Sequence, residues 1–515
     1  MAVIRNRLVK GDPTSASEYI VSTHEAYKLY YNRWTFLADS YNGGFDYFYG
    51  KYLEPFVYES RDDYEKRLRT NALDNHVKAI VGIYNSFLFR RDIKRDLGNL
   101  EADPQLDAFF DDADLDGRTF AAFMKDVSRH SQVYGHCWVI VDKPNTNVST
   151  RADELEQEVR PYVSLFTPEN VLDWQYEREE NGYYKLVYLK VKEEIQEGEQ
   201  YIREYTPEET NVYRYTTKDR QGEYMYSIPN TLGKIPCVVC YSQRSNLRGV
   251  GVSAVGDIAD MQKNIYEETA EIHDIIKLTN HPTLVKTRGT DASAGAGAIV
   301  TMEENLEPGL KPYLLQPNGS SIDAVLDSIQ KKVDAIDRMA CVGGIRSVES
   351  RRLSGIGLQT EFQMLNAKLA DFAMCLEHCE EQIWRLYALF QGMTYDGSVQ
   401  YPRSFSIQDK ANDIAMLKLA KESNIADTRI TDEIDKRIYE TITEESMSDL
   451  PEQTPAETPP LKLDMQHPPM ENAGDMIQHM RDMIQEGYTN EQILEIHPEI
   501  NAFFGDNDGE ETQGT

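Results

Sequence analysis

No stretch of the 515-residue sequence approaches the about 18 consecutive apolar residues that a membrane-crossing helix needs. Its start, Met1-Ala2-Val3-Ile4-Arg5, lacks the apolar block of a signal peptide. A soluble, unexported protein with no membrane partner is expected. Cysteine is scarce: six scattered thiols make no disulfide scaffold and fit a reducing cytoplasm. Positive charge is in deficit, 54 Lys+Arg against 86 Asp+Glu, for a formal net charge of −32. A surface of that sign repels a phosphate backbone and gains nothing from counterion release, which disfavours a conventional DNA-binding protein. It leaves open a chain that solvates itself, or one that encloses a polyanion without gripping it. Catalytic signatures are missing too: there is no G-x-x-x-x-G-K-[ST], G-x-S-x-G or H-E-x-x-H, and none of the ten histidines has a spacing that suggests a general base. No cofactor is expected.

What is abundant is tyrosine, 31 against 17 phenylalanines. Tyrosine-rich acidic chains are often carbohydrate-active, with rings stacked on sugars and carboxylates in acid/base roles, so that enzyme class is the alternative reading. Carboxylates are too numerous for any one pair to stand out. At roughly 100–200 residues per domain, the length suggests three or four domains.

Helical and β-rich segments occupy separate blocks, the pattern of an α+β protein. Residues 1–100 read as mostly helical, with Tyr27, Tyr30, Tyr31, Trp34, Phe36 and Tyr41 before Gly43-Gly44, then Leu73, Val77, Ile80, Ile83 and Phe87 on one face. Trp138 to Asp142 reads as a strand, and Tyr162 to Arg244 as a β module with turn signals at Asn181-Gly182, Glu197-Gly198 and Gln221-Gly222. A helix from about Ala254 to Thr279 carries Ile258, Met261, Ile265, Ile272 and Ile276. Short strands follow, including Thr283-Leu284-Val285 and Ile299 to Met302. A second helix from Ser321 to about Cys341 is long enough to return alongside the first. Between Leu358 and Phe390 there is no Gly or Pro, and Leu365, Leu369, Phe372, Leu376, Cys379, Ile383 and Leu386 recur at steps of four and three, one helix of about 50 Å. Two shorter helical patterns run through Ile414, Leu417 and Leu419, and through Ile430, Ile434, Ile438 and Ile442. Six prolines between Pro451 and Pro469 make an extended linker, followed by a helical hairpin over Met476–Phe504 and an acidic tail.

Three constellations invite chemistry. Asp112-x-Asp114-x-Asp116-Gly117 matches the first half of an EF-hand loop, but position twelve is Phe123 where a bidentate Glu belongs, so a helix start is favoured over calcium. Cys237-x-x-Cys240 with Cys375, His378 and Cys379 has zinc ligand types. Residues three apart on a strand point to opposite faces, however, and Cys375 and Cys379 fit a helix core. The third is the loop from Gly343 to Gly355, which holds Arg346, Arg351 and Arg352 between Gly343, Gly344, Gly355 and Gly357. A tether between two long helices, hinged by glycines, can move as a unit.

The order of these elements resembles the portal proteins, or head–tail connectors, of tailed bacteriophages. The resemblance rests also on short phrases: Trp34, Asp39, Gly44 and Tyr52-Leu53; Tyr64 to Leu68 with Asn75 and Leu88-Phe89-Arg90; Asp116 to Phe120, Tyr134-Gly135 and Val141-Asp142; and Leu353 to Leu358. It implies an α+β ring subunit. Residues 1–250 would form an α/β wing completed by 357–405, 251–281 and 321–342 two stem helices, and 282–320 a small β-containing clip. Residues 343–356 would be the tunnel loop and 406–448 a helical crown; 449–470 and 471–515 carry no family role. The resemblance further implies a homododecamer at one capsid vertex of the virion, assembled in the host cytoplasm and set within the major capsid protein. Terminase docks there during packaging, head–tail adaptor or tail proteins meet the clip, and double-stranded DNA passes through.

Twelve helices about 10 Å across leave an opening of roughly 28 Å, enough for a duplex about 20 Å wide. A ring of twelve chains of −32 each totals −384. In such a ring Asp257, Asp260, Glu267, Glu268, Glu271 and Asp274 would line an acidic channel in which DNA slides. Arg346, Arg351 and Arg352 would touch phosphates transiently.

Overall fold

The computed structural model describes residues 13–144, 146, 150–196, 198–216, 218, 220–280, 283–286, 307, 311–315, 320–346, 355–403, 405, 418, 421, 434–436 and 438. The N-terminal quarter is helical: α1 (Pro13–Ile20), α2 (Glu25–Asn42), the single turn α3 (Phe45–Phe48), α4 (Arg61–Thr70) and α5 (His76–Leu88). Strand β1 (Lys94–Asp96), α6 (Leu106–Asp111), α7 (Phe120–Tyr134), β2 (His136–Asp142), α8 (Arg151–Glu156) and β3 (Tyr162–Phe166) follow. Next are β4 (Val171–Arg178), β5 (Tyr184–Gln196), β6 (Glu199–Tyr205), β7 (Glu209–Thr216), β8 (Gln221–Pro229) and β9 (Cys237–Tyr241). The last part has α9 (Gly256–Asn280), β10 (Thr283–Val285), β11 (Tyr313–Leu315), α10 (Ser320–Ala340), the turn α11 (Gly343–Arg346), α12 (Gly355–Phe390) and β12 (Ser398–Gln400).

Local chemistry sets the helix ends. The side chains of His24, Ser60, Asn75 and Thr119 each accept an amide hydrogen from the first turn of α2, α4, α5 and α7. The aspartates at 112–116 stand one loop ahead of α7 rather than at its cap. Asp112 and Asp114 accept amide hydrogens within the loop, and Asp114 also pairs with Arg118. Helix α7 ends at Gly135, whose φ of +91° only glycine adopts freely. A Cβ on Gly251 would lie 2.0 Å from the Gly135 carbonyl oxygen, so both glycines are needed where the approach to α9 crosses the end of α7.

Two antiparallel sheets form the β layer. One runs β3-β2-β9, with β2 central and almost wholly buried; the other is the meander β4-β5-β6-β7-β8. Turns fall at Asn181-Gly182 and at Gly198 as expected, with both glycines at positive φ, while Glu197 lies outside the described residues. Gln221-Gly222 is not a turn. It begins β8 opposite Thr216 and Tyr215, and glycine stands at 222 because a Cβ there would meet Ile20 of α1 at 2.5 Å.

The long periodic helix of the sequence is α12. Leu369, Ile383, Trp384 and Tyr387 are fully buried, and Trp384 packs on Phe109, Phe110 and Phe120. Full burial of such a side chain contributes roughly 1.5–3 kcal/mol. One continuous core threads α2, α5, α7, β2, β9, α9 and α12. For that reason the chain divides into two compact units, Met1–Ile407 and Gln408–Thr515, rather than three or four. In the second unit residues 418, 421, 434–436 and 438 are helical, and Lys421 pairs with Asp435 at 2.5 Å. Both shorter helical patterns otherwise lie outside the described residues, as do Ile299 to Met302, the proline-rich linker, the hairpin and the tail.

Candidate functional site

Helices α9 and α10 pack side by side. Ile258, Ala259, Ile265, Tyr266 and Ala270 are buried on one side of α9, and Ile336 and Ala340 at the end of α10. Burial fades along the pair: Ile276 of α9 is 38% exposed, and Ile322 and Ile329 of α10 are only half-buried. At about 100° per residue, the six carboxylates expected to line a channel fall within an arc of about 120° on α9, opposite its buried face.

Much of that arc is taken by the chain's own cations. Arg33 of α2 forks onto Asp260 at 2.6 and 2.8 Å, and Arg67 of α4 lies 3.7 Å from Asp274. Lys332 of α10 reaches Glu268 at 2.7 Å, and Ser328 donates to the same carboxylate. Glu267 pairs along the helix with Lys263 at 3.6 Å. Asp257 and Glu271 are exposed and have no ion pair among the described residues.

The end of α10 is built differently from expectation. Cys341 takes a left-handed conformation, φ +58°, its N–H bonding Arg338 O while the N–H of Val342 bonds Asp337 O, the two bonds of a Schellman stop. Gly343 and Gly344 then sit in the helical turn α11, and Gly355 and Gly357 in the first turn of α12. The glycines expected as loop hinges are therefore helical, and the sharp reversal is made by Cys341. A Cβ at Gly343 would lie 2.5 Å from the Glu361 carboxylate, a contact that the flexible glutamate side chain can relieve by swinging aside.

Arg346 likewise has a different employment from the expected phosphate contact. One guanidinium nitrogen is 2.8 Å from Asp337 Oδ1 at the end of α10, and another is 2.7 Å from His76 Nδ1 at the start of α5. His76 is 1% exposed, and burial, with the arginine charge beside it, pushes its pKa down. The ring can then accept from Arg346, which pins α10, α11 and α5 together. Sequence reasoning missed Asp337 and His76, because partners 9 and 270 residues away leave no periodic trace. Arg351 and Arg352 lie outside the described residues.

The metal-like groups take structural places. Cys137 and Cys240 face each other across β2 and β9, and Cys379 of α12 is buried with them in the core. All six thiols are free, and no His/Cys/Asp/Glu group among the described residues is arranged to hold a metal ion. Many tyrosines are polar-tipped core residues: the hydroxyls of Tyr84, Tyr266, Tyr387 and Tyr401 donate to Ala340 O, Tyr47 O, Asp103 and Glu380. Their abundance thus has a packing cause where sugar stacking was the alternative. Among the described residues no helix is long and apolar enough to cross a membrane.

The chain thus sets a pair of helices, one with an acidic outer face, beside an α+β body of antiparallel sheets. Residues 25–342, more than half of the chain, match the family model described as phage portal protein, SPP1 Gp6-like, and the chain belongs to that family. The match begins with α2, contains α9 and α10 entire, and stops at Val342. Similar solved structures include a chain from the virion of a native gene transfer agent particle, with 11% identity over 78% of this chain and 98% of that one and a TM-score of 0.42. The neck of an empty particle of that kind, computed with C6 symmetry, gives 10% identity, 74% and 95% coverage and a TM-score of 0.41. The neck of a native particle, computed with C12 symmetry, gives 9%, 73% and 94%, and 0.39. No curated protein matches the chain.

Proposed function

We propose that copies of this chain close into a ring of twelve at one vertex of the capsid, through which double-stranded DNA enters during packaging and leaves on infection. Helices α9 and α10 are the stem, residues 282–320 the clip that meets head–tail adaptor or tail proteins, and 343–356 the tunnel loop. Residues 406–448 are the crown, and the body around α12 is the wing held by the major capsid protein. Terminase docks on the ring during packaging. The ring works as a conduit and not as an enzyme.

The observation that carries the reading is the family match across the whole of α9 and α10, joined to the acidic face that α9 turns away from its core. With Asp260, Asp274 and Glu268 facing Arg33, Arg67 and Lys332, that face presents Asp257 and Glu271 most openly. A fixed negative wall around a polyanion lowers friction, because no phosphate finds a lasting partner. Transient contact falls to Arg351 and Arg352, since Arg346 is held by Asp337 and His76.

Mass photometry of the purified full chain tests the ring. Twelve chains of 59.0 kDa give about 708 kDa. A population confined to one or two chains at every concentration would contradict it.

A further inference from the structure

A cleft of about 630 Å³ opens between α12 and the connection from β9 to α9. Its lining mixes apolar groups, Phe372, Met374 and Val239, with the cations Arg244 and Lys368. Several arginines of this acidic body hold carboxylates, Arg33, Arg67, Arg95 and Arg118 among them, whereas Arg178 and Arg248 stack on the Tyr184 ring instead. Arg244 and Lys368 make no ion pair among the described residues. The Arg244 guanidinium lies 5.2 Å from the Tyr241 ring centre. The Lys368 ammonium lies 5.2 Å from that of Tyr84, 3.4 Å from the Met339 carbonyl, and burial pushes its pKa down. The lining also holds Ser242, 7% exposed, whose hydroxyl has no hydrogen-bond partner among the described residues. Asp371 and His378 complete the polar lining. Among the described residues Arg244 has no ion pair and the Ser242 hydroxyl no hydrogen-bond partner, while Lys368 has only a long bond to the Met339 carbonyl; with Asp371 the one carboxylate in the cleft, a second acceptor is wanted, and the apolar groups beside them ask for more than a bare ion.

We propose that this cleft seats an acidic segment of a second copy of the chain, a carboxylate meeting Arg244 and Lys368 while a neighbouring apolar residue covers Phe372 and Met374. The argument for a second copy is charge. Chains of −32 repel one another, so a ring must set cations at its seams, and unpaired cations beside an apolar floor meet that need. The inference rests on the ring reading and adds the seat of one subunit contact.

The test places a photo-crosslinking amino acid at position 374, 45% exposed in the single chain, in the full-length protein. The proposal expects adducts between neighbouring subunits of the ring that map to a segment containing Asp or Glu. A companion variant, Arg244→Glu, raises at least tenfold the protein concentration at which half the chains are in rings, and reversing the crosslinked partner's charge restores assembly. Rings that form while position 374 reacts only within its own chain overturn the cleft assignment and leave the ring reading standing. Absence of any ring overturns both. If inorganic phosphate raises the melting temperature of the parent protein but not of Arg244→Glu, and no intersubunit adduct forms, the cleft belongs to a small anion and the proposal fails.

Discussion

Glu380 is fully buried on α12. It accepts from the Arg95 guanidinium at 2.5 Å, the Tyr401 hydroxyl at 2.7 Å and the Trp384 indole at 3.2 Å, tying α12 to β1 and to the chain after β12. Removing one partner of such a pair strands the other, at a cost of about 3–5 kcal/mol. Glu380→Ala should lose that much stability in urea unfolding; a loss below about 1 kcal/mol would refute the role. His136 is a second buried polar residue. Complete burial pushes it down to about 3, and its Nδ1 accepts the Gly251 amide hydrogen at 3.1 Å. A folded-state pKa below the unfolded value of about 6.5 means that stability present above pH 6.5 is lost as pH falls toward 3, by about 1.4 kcal/mol per unit. His130, pushed down to about 4, adds in the same direction, and burial lowers His76 too. The carboxylates of Glu59 and Asp114, held low by Arg67 and Arg118, lose their contribution only below about pH 4.5. Between pH 6.5 and 4.5 the histidines therefore pull stability down as pH falls, opposed by groups such as Asp142, whose carboxyl is pushed up by burial. His136→Asn should flatten that slope by about 1.4 kcal/mol per unit, read from urea midpoints; an unchanged slope would mean that His136 is not buried neutral.

Between elements, the crossing of Gly135 and Gly251 fixes how α9 leaves the body. Gly251→Ala forces a Cβ into backbone that cannot retreat and should cost more than about 2 kcal/mol, whereas Gly198→Ala, at φ +86° in open space, should cost about 1–2 kcal/mol. Equal losses in thermal unfolding would remove the special status of the crossing. Elements with long apolar periods were legible in the sequence: α9, α10 and α12 lie within three residues of the expected ends, since helical burial repeats along the chain itself. The paired strands β1 and β12 were not, because three residues hold no period and the partners stand some 300 residues apart. Strand β11, which pairs with β10 about 30 residues earlier, lies within the expected run of short strands over 282–320 but was not singled out, because three residues hold no period. The acidic face of α9 was legible as spacing, but the cations that trim it come from α2, α4 and α10, and only the fold brings them there. Glycine spacing around Arg346 suggested hinges, and packing made them helix instead.

For the whole assembly, the division of labour among the three arginines is testable in particles. Arg351→Ala with Arg352→Ala should reduce packaged or retained DNA several-fold while ring formation stays normal. Arg346→Ala should instead lower the thermal stability of the subunit, because it frees α10 from α5. The reverse outcome would return Arg346 to the DNA and withdraw its structural role. The most direct test of the central claim is electron microscopy of the purified full chain viewed down its symmetry axis. The account predicts annular particles with a central opening wider than the about 20 Å of a duplex, walled by α9 with Asp257 and Glu271 toward the bore. Solid particles, or rings in which α9 is buried away from the opening, would contradict it.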